Sequence, residues 1–210
     1  YEASFGEAAE LRWTTRTTYT NPKLEVGTIS AALYGHRCLG KLVIGHYSAR
    51  FGQGLVVWSG FSMSGYGSAE SFCRKAGGIS VTGASDAEFL GIGSDWMFGN
   101  YRLAAALSAD GRGSVVNLGR SWRRASASVT TSLSAASVDW RFSFPGGSIF
   151  GEAACTYRGE PSIVAGAQWV PQYARKFSLL ARWYAPSVKS YSGLAAGIDS
   201  PSFLATADSG

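Results

Sequence analysis

The 210-residue chain is predicted to be all-β, an antiparallel sheet of about 12 or more strands. Three observations carry that prediction. Apolar and polar residues alternate with a period of two over most of the chain, and successive side chains of a strand point to opposite faces. The alternating segments, many of them about 10 residues long and so long enough to cross a bilayer as tilted strands, are divided by turn residues. Composition agrees: 46% hydrophobic and 13% aromatic residues, with 27 glycines against 6 prolines, suit strands joined by tight turns.

Taken in order, the first strand covers residues 5–19, where Leu11, Trp13 and Tyr19 oppose Arg12 and Arg16. Strands over 24–35 and 39–50 follow. Residues 51–63, FGQGLVVWSGFSM, lack clean alternation, and residues 64–86, rich in Gly and Ser, read as one long loop. Long loops in otherwise tight structures are usually functional. Further strands are predicted over 87–97, 100–109, 114–122, 125–134, 136–144, 148–158, 161–170, 174–184 and 190–199. In the eighth of all these strands Val138, Trp140, Phe142 and Phe144 oppose Ser137, Asp139, Arg141 and Ser143. In the ninth Ile149, Gly151, Ala153, Cys155 and Tyr157 oppose Ser148, Glu152, Thr156 and Arg158. Ile163, Ala165, Ala167 and Trp169 share a face, and Phe177, Leu179, Ala181 and Trp183 oppose Lys176, Ser178 and Arg182. Short turns at Asp110–Gly113, Pro145–Gly147, Arg158–Pro161 and Pro171–Tyr173 join antiparallel neighbours.

A period of two does not say which side the apolar face occupies. In a soluble sandwich or small barrel the apolar faces meet inside, whereas in a transmembrane barrel they face lipid. Strand length favours the membrane, as does the placing of several of Trp13, Trp96, Trp122, Trp140, Trp169 and Trp183 close to strand ends, where aromatic girdles sit. Charged residues are 16%, below the ~25% usual in soluble domains. The prediction is therefore one transmembrane β-barrel domain over residues 1–210. Val138, Trp140 and Phe142 then face lipid, and Asp139, Arg141, Glu152, Arg158 and Arg182 line a wet interior as a structural charge network. Arg120 shares parity with Val116, Leu118 and Trp122, so it must snorkel, sit at an interface or mark a bulge. The alternative is a secreted or surface-attached soluble β-protein, its aromatics serving adhesion or carbohydrate binding.

Other classes find little support. The net charge is +5, but the basic residues are scattered apart from Arg120, Arg123 and Arg124, so no direct nucleic-acid partner is expected. Cys38, Cys73 and Cys155 form no CxxC spacing; Cys38 and Cys73 lie near loops where they could pair, and Cys155 sits in an apolar register. His36 and His46 lack companion ligands, so neither a metal nor another cofactor is expected. There is no GxSxG elbow, and His46 with Ser48 or Ser59 is the nearest approach to a base and nucleophile, so no catalytic activity is expected.

The stretch LGKLVIGHYSARFGQGLVVWSGFSM, followed by Arg74, Gly78-Ile79 and Asp86-Ala87-Glu88-Phe89-Leu90-Gly91-Ile92, resembles a family of Bacteroidota outer-membrane β-barrel proteins. Members of that family carry a helix-hairpin-helix domain before the barrel. Phe51-Gly52-Gln53-Gly54-Leu55 matches the family's run in full, Trp58 and Gly60-Phe61 fit its continuation, and Gly45-His46-Tyr47 stands where "GDY" is usual. The likeness covers roughly residues 36–105. It implies a bacterial outer-membrane location, the lipid bilayer as surroundings, and a channel or a structural or interaction subunit working with other outer-membrane or periplasmic proteins. No helix-hairpin-helix segment appears in this sequence, so a nucleic-acid role tied to that domain is not carried over; separately, His46 replaces the acid. Physically, Gly52 and Gly54 permit backbone forms that side chains forbid, and Gln53 between them can set an amide against another element. A bulge that folds the next segment into the barrel is the expectation there.

Overall fold

Alternation becomes strand along most of the chain in the computed structural model, which describes residues 2–5, 8–18, 21–59, 73–74, 76–82, 89–172, 175–185 and 202–209. The strands are β1 (Glu2–Phe5), β2 (Ala9–Thr18), β3 (Asn21–His36), β4 (Leu39–Arg50), β5 (Gly78–Val81), β6 (Phe89–Phe98) and β7 (Tyr101–Ser108), then β8 (Val115–Ser121), β9 (Ala125–Ser132), β10 (Ala135–Phe144), β11 (Gly147–Thr156), β12 (Pro161–Gln172), β13 (Arg175–Tyr184) and β14 (Ser202–Ser209). They make one fourteen-stranded sheet in which sequence neighbours pair, except that β4 pairs with both β5 and β6. Among the described strands every ladder is antiparallel, as short hairpin connections require. No hydrogen bonds join the edge strands β1 and β14 among the described residues.

Four expectations change. The span 5–19 divides into β1 and β2. The long loop at 64–86 contains β5, which is too short and glycine-flanked to show a period; residues 64–72, 75 and 83–86 lie outside the described residues. The strand expected at 190–199 also falls outside them, and the strand paired to β13 is 202–209. Finally, β11 stops at Thr156, so Arg158 belongs to the turn after it.

The register aligns like with like across the strands. Trp96, Leu103, Leu118, Val129, Val138, Ala153, Ile163 and Trp183 stand opposite one another from β6 to β13. Most of this row is exposed, Val138 at 49% and Leu118 at 54%. The facing row on the other side of the same strands runs Arg102, Gly119, Ser128, Asp139, Glu152, Val164 and Arg182. Trp140 stands opposite Gly151, and a side chain there would strike the Trp140 ring, so this glycine gives an aromatic room to lie flat on the outer face.

The sheet is strongly curled. In the strand order β4 and β11 are six steps apart, about 29 Å along a flat sheet at ~4.8 Å per strand. Yet Gln53, three residues past β4 and so within ~10 Å of its end, bonds to Glu152 on β11. Only a sheet bent back on itself brings the two together. The core lies within that curl: Val43, Tyr47, Phe51, Leu55, Val56, Val57, Ile79, Phe150 and Leu180 are each at most 2% exposed.

Candidate functional site

Near its end β4 leaves the wall. Up to Tyr47 it pairs with β6; from Tyr47 to Arg50 it pairs with β5. The chain then doubles back: the Ser59 amide donates to the Ala49 carbonyl at 2.8 Å, and the Ala49 amide donates to Ser59 Oγ at 2.6 Å. Residues 51–57 are all buried. A greasy run without alternation suits them, because this segment has neighbours on every side.

The FGQGL turn is the latch. Gly52 and Gly54 take left-handed backbone with φ of 57° and 88°, which turns the alternate amides of Gln53 and Leu55 to one side while the Gly54 amide donates to the Phe51 carbonyl at 3.1 Å. Glu152 Oε2 meets both, accepting from the Gln53 amide at 2.6 Å and the Leu55 amide at 3.1 Å. A Cβ on Gly52 would lie 2.7 Å from Glu152 Cδ, so the close approach requires glycine. Glu152 itself is 1% exposed. Hydrogen bonds to a charged group contribute about 1.5–3 kcal/mol each, and this pair joins positions 97 and 99 residues apart. The Gln53 side chain reaches onward, its Oε1 accepting from the Arg74 amide at 3.0 Å. Gly52, Gln53 and Gly54 thus form a bend that carries the following segment inward and fastens it.

The far side of the inserted segment is tied to a wall turn. Tyr47 Oη donates to the Gly113 carbonyl at 3.0 Å and its ring packs 5.7 Å from that of Phe89. Within the turn, Ser108 Oγ donates to Asp110 at 2.7 Å, and Arg112 Nε does so at 2.6 Å. The Ser108 hydroxyl, then the Arg112 side chain, hold the Asp110 carboxyl below its ordinary range.

Of the five residues expected to line the interior, Asp139, Glu152 and Arg182 share one inner row, and Arg141 lies one row away, opposite Phe150. Asp139 accepts from Ser128 Oγ across the β9–β10 ladder. Arg158 is a correction: it is exposed in the β11–β12 turn because alternation in the sequence ran on past the end of the strand. Nor is Glu152 held by an arginine; backbone amides hold it. No charge pattern signals such a partner, although a lone carboxylate between Phe150 and Ala154 on the same inner face is a hint that something must meet it.

A second pair carries no signal in the sequence pattern. Asp95 on β6, 7% exposed, takes bonds from Arg102 of β7, with Nε 2.8 Å from Oδ1 and 3.0 Å from Oδ2. The Arg102 fork also lies against Gly78 of β5, so it braces the inserted layer. Removing one partner of a fully buried pair costs ~3–5 kcal/mol; Arg102 is partly exposed, so Arg102→Ala is expected to lower stability by roughly 2–3 kcal/mol. Denaturant titration of the folded protein measures it, and a change below about 0.5 kcal/mol would deny the brace.

The remaining candidates come apart. Cys38, Cys73 and Cys155 are all free, so Cys38 and Cys73 do not pair; Cys73 is buried and Cys38 exposed. His46 Nδ1 lies 3.0 Å from both the amide and the carbonyl of Ile29, giving either tautomer a partner. Ser48 Oγ bonds Ser80 Oγ at 2.7 Å, and Ser59 bonds Ala49, so neither hydroxyl is paired to His46. Among the described residues, no three His, Cys, Asp or Glu side chains gather in a metal-binding group. Arg120 marks no bulge: the β7–β8 and β8–β9 registers run through it unbroken, and its guanidinium lies 4.9 Å over Tyr101 and 5.1 Å over Trp122.

The site is thus a filled and latched interior, with a strongly apolar surface around it. No protein-family model matches the chain, and no curated protein matches it in sequence.

Proposed function

We propose that the chain is an outer-membrane β-barrel whose interior is closed by its own residues 51–59, and that it serves as a structural or interaction subunit of an envelope assembly, without catalytic activity. The observation that carries this is that the strands keep a broad exposed apolar face although an apolar core already lies on the inner side of the curl. Leu118, Val129, Val138, Ile149 and Ile163 stand exposed outside, while Val43, Leu55, Val57, Phe150 and Leu180 already make a core inside. A soluble adhesin or carbohydrate-binding protein needs its apolar strand faces within, and monomers in water rarely expose contiguous apolar patches beyond a few hundred Å². Hydrocarbon accommodates such an outer face. The likeness of FGQGL and its surroundings to Bacteroidota outer-membrane barrels points the same way. Its partners would be the bilayer and other outer-membrane or periplasmic proteins. The latch by Glu152 favours a subunit over a standing channel, since it holds the buried residues 51–57 within the curl.

The test uses single cysteines in a cysteine-free background, folded into vesicles. Val129→Cys is expected to resist a membrane-impermeant thiol reagent, while Ser134→Cys, in the exposed β9–β10 turn, reacts fully. A protein that stays monomeric in detergent-free buffer and reacts at position 129 would sink the membrane assignment.

A further inference from the structure

The hairpins β6–β7, β8–β9 and β10–β11 turn at one end of the sheet, as does β3–β4; β7–β8, β9–β10 and β11–β12 turn at the other. The two ends differ in charge. The described turns at the first end, 37–38, 99–100, 122–124 and 145–146, carry Arg37, Arg123 and Arg124 and no carboxylate. Those at the second carry Asp110 and Glu160 beside Arg112 and Arg158. The first end is also the aromatic one: Trp96, Phe98, Tyr101, Trp122, Phe142 and Phe144 are exposed there.

Arg120, Arg123 and Arg124 sit in the middle of that ring, on the β8–β9 hairpin. Their turn is braced on both sides: the Ser121 amide donates to Asn100 at 2.9 Å and the Ser143 amide to Arg124 at 2.7 Å. All three arginines are exposed, and among the described residues none of them forms an ion pair. The face of the Arg120 guanidinium is taken up by the Tyr101 and Trp122 rings. Its N–H donors lie in the guanidinium plane, so stacking fixes the fork and leaves the donors for an acceptor with phosphate geometry. Aromatic rings of this kind mark the depth at which lipid headgroups lie.

From this we infer that Arg120, Arg123 and Arg124 form a seat for the phosphate of an anionic lipid headgroup, so that this end of the protein selects acidic lipid around it. The seat rests on the membrane assignment above and extends it to a lipid class. Juxtamembrane arginines draw acidic lipid strongly.

The experiment measures spin-labelled phosphatidylglycerol against spin-labelled phosphatidylcholine in the motionally restricted lipid shell of the reconstituted protein. The parent chain is expected to prefer phosphatidylglycerol about five- to tenfold at low salt. The triple variant Arg120→Gln, Arg123→Gln, Arg124→Gln should insert equally well and fall to near parity, while Arg158→Gln at the opposite end leaves the preference unchanged. If the parent inserts and shows no preference, or the triple variant keeps it, the seat is refuted and the membrane assignment stands. If inorganic phosphate at matched ionic strength abolishes the preference, the arginines form a soluble-anion site and the lipid seat is equally refuted. If the parent enters no vesicle of either lipid, both fall together.

Discussion

A Glu152→Ala variant in a planar lipid bilayer is expected to pass current where the parent chain is quiet. The carboxylate is the acceptor for both the Gln53 and Leu55 amides, and both are buried. Alanine leaves two buried N–H groups without that acceptor, at about 1–3 kcal/mol each. A total of about 2–6 kcal/mol moves the balance between latched and released segment by roughly 30- to 20,000-fold. The same shift should come from the other side of the contact. Gly52→Ala must hold a Cβ at φ 57° and 2.7 Å from Glu152 Cδ, so it strains the turn and pushes the carboxylate away. Glu152→Gln, which keeps one carbonyl oxygen, is expected to fall between alanine and the parent. Alanine and Gly52→Ala variants that fold, insert and remain as silent as the parent would show that the latch does not close the interior.

The second large effect concerns the outer face. Val138→Arg puts a cation at the middle of β10, between Val129 and Ala153 on the neighbouring strands. Arginine on the lipid face of a barrel near the bilayer midplane costs ~2–4 kcal/mol, which reduces the inserted fraction at equilibrium by about 30- to 1,000-fold. Phe144→Arg, on the same outer face at the end of the same strand, should insert almost as well as the parent because the cost falls towards zero near the interface. Urea titration of vesicle-folded protein measures both. Equal stability of the two variants would mean that Val138 does not face hydrocarbon.

Much of this architecture is legible in the sequence because a strand writes its faces directly into a period of two. ASVDWRFSF divides for that reason into an exposed row of Val138, Trp140 and Phe142 and a less exposed row of Ser137, Asp139 and Arg141. The period says nothing about where a strand stops, so Arg158 was carried one turn too far. It is silent, too, on a segment buried on all sides, which is why β5 and residues 51–59 have no pattern. Glu152 was legible as an inward charge but not as a latch. Its partners are main-chain amides almost a hundred residues away, and every residue type except proline offers an amide. Only the two glycines of FGQGL betray the place, by allowing the conformation that turns those amides to one side.

The separation between the two halves of the latch also bears on the order of folding. Residues 51–59 meet the end of β4 through bonds only ten residues apart, whereas their contacts with Glu152 are 97 and 99 residues apart. Local contacts close small loops at little entropic cost, and distant ones are slower to form. The carboxylate on β11 can receive the Gln53 and Leu55 amides only when the strands between β4 and β11 have curled round to them. Closure of the latch is therefore expected to be a late event, reached once most of the wall is paired.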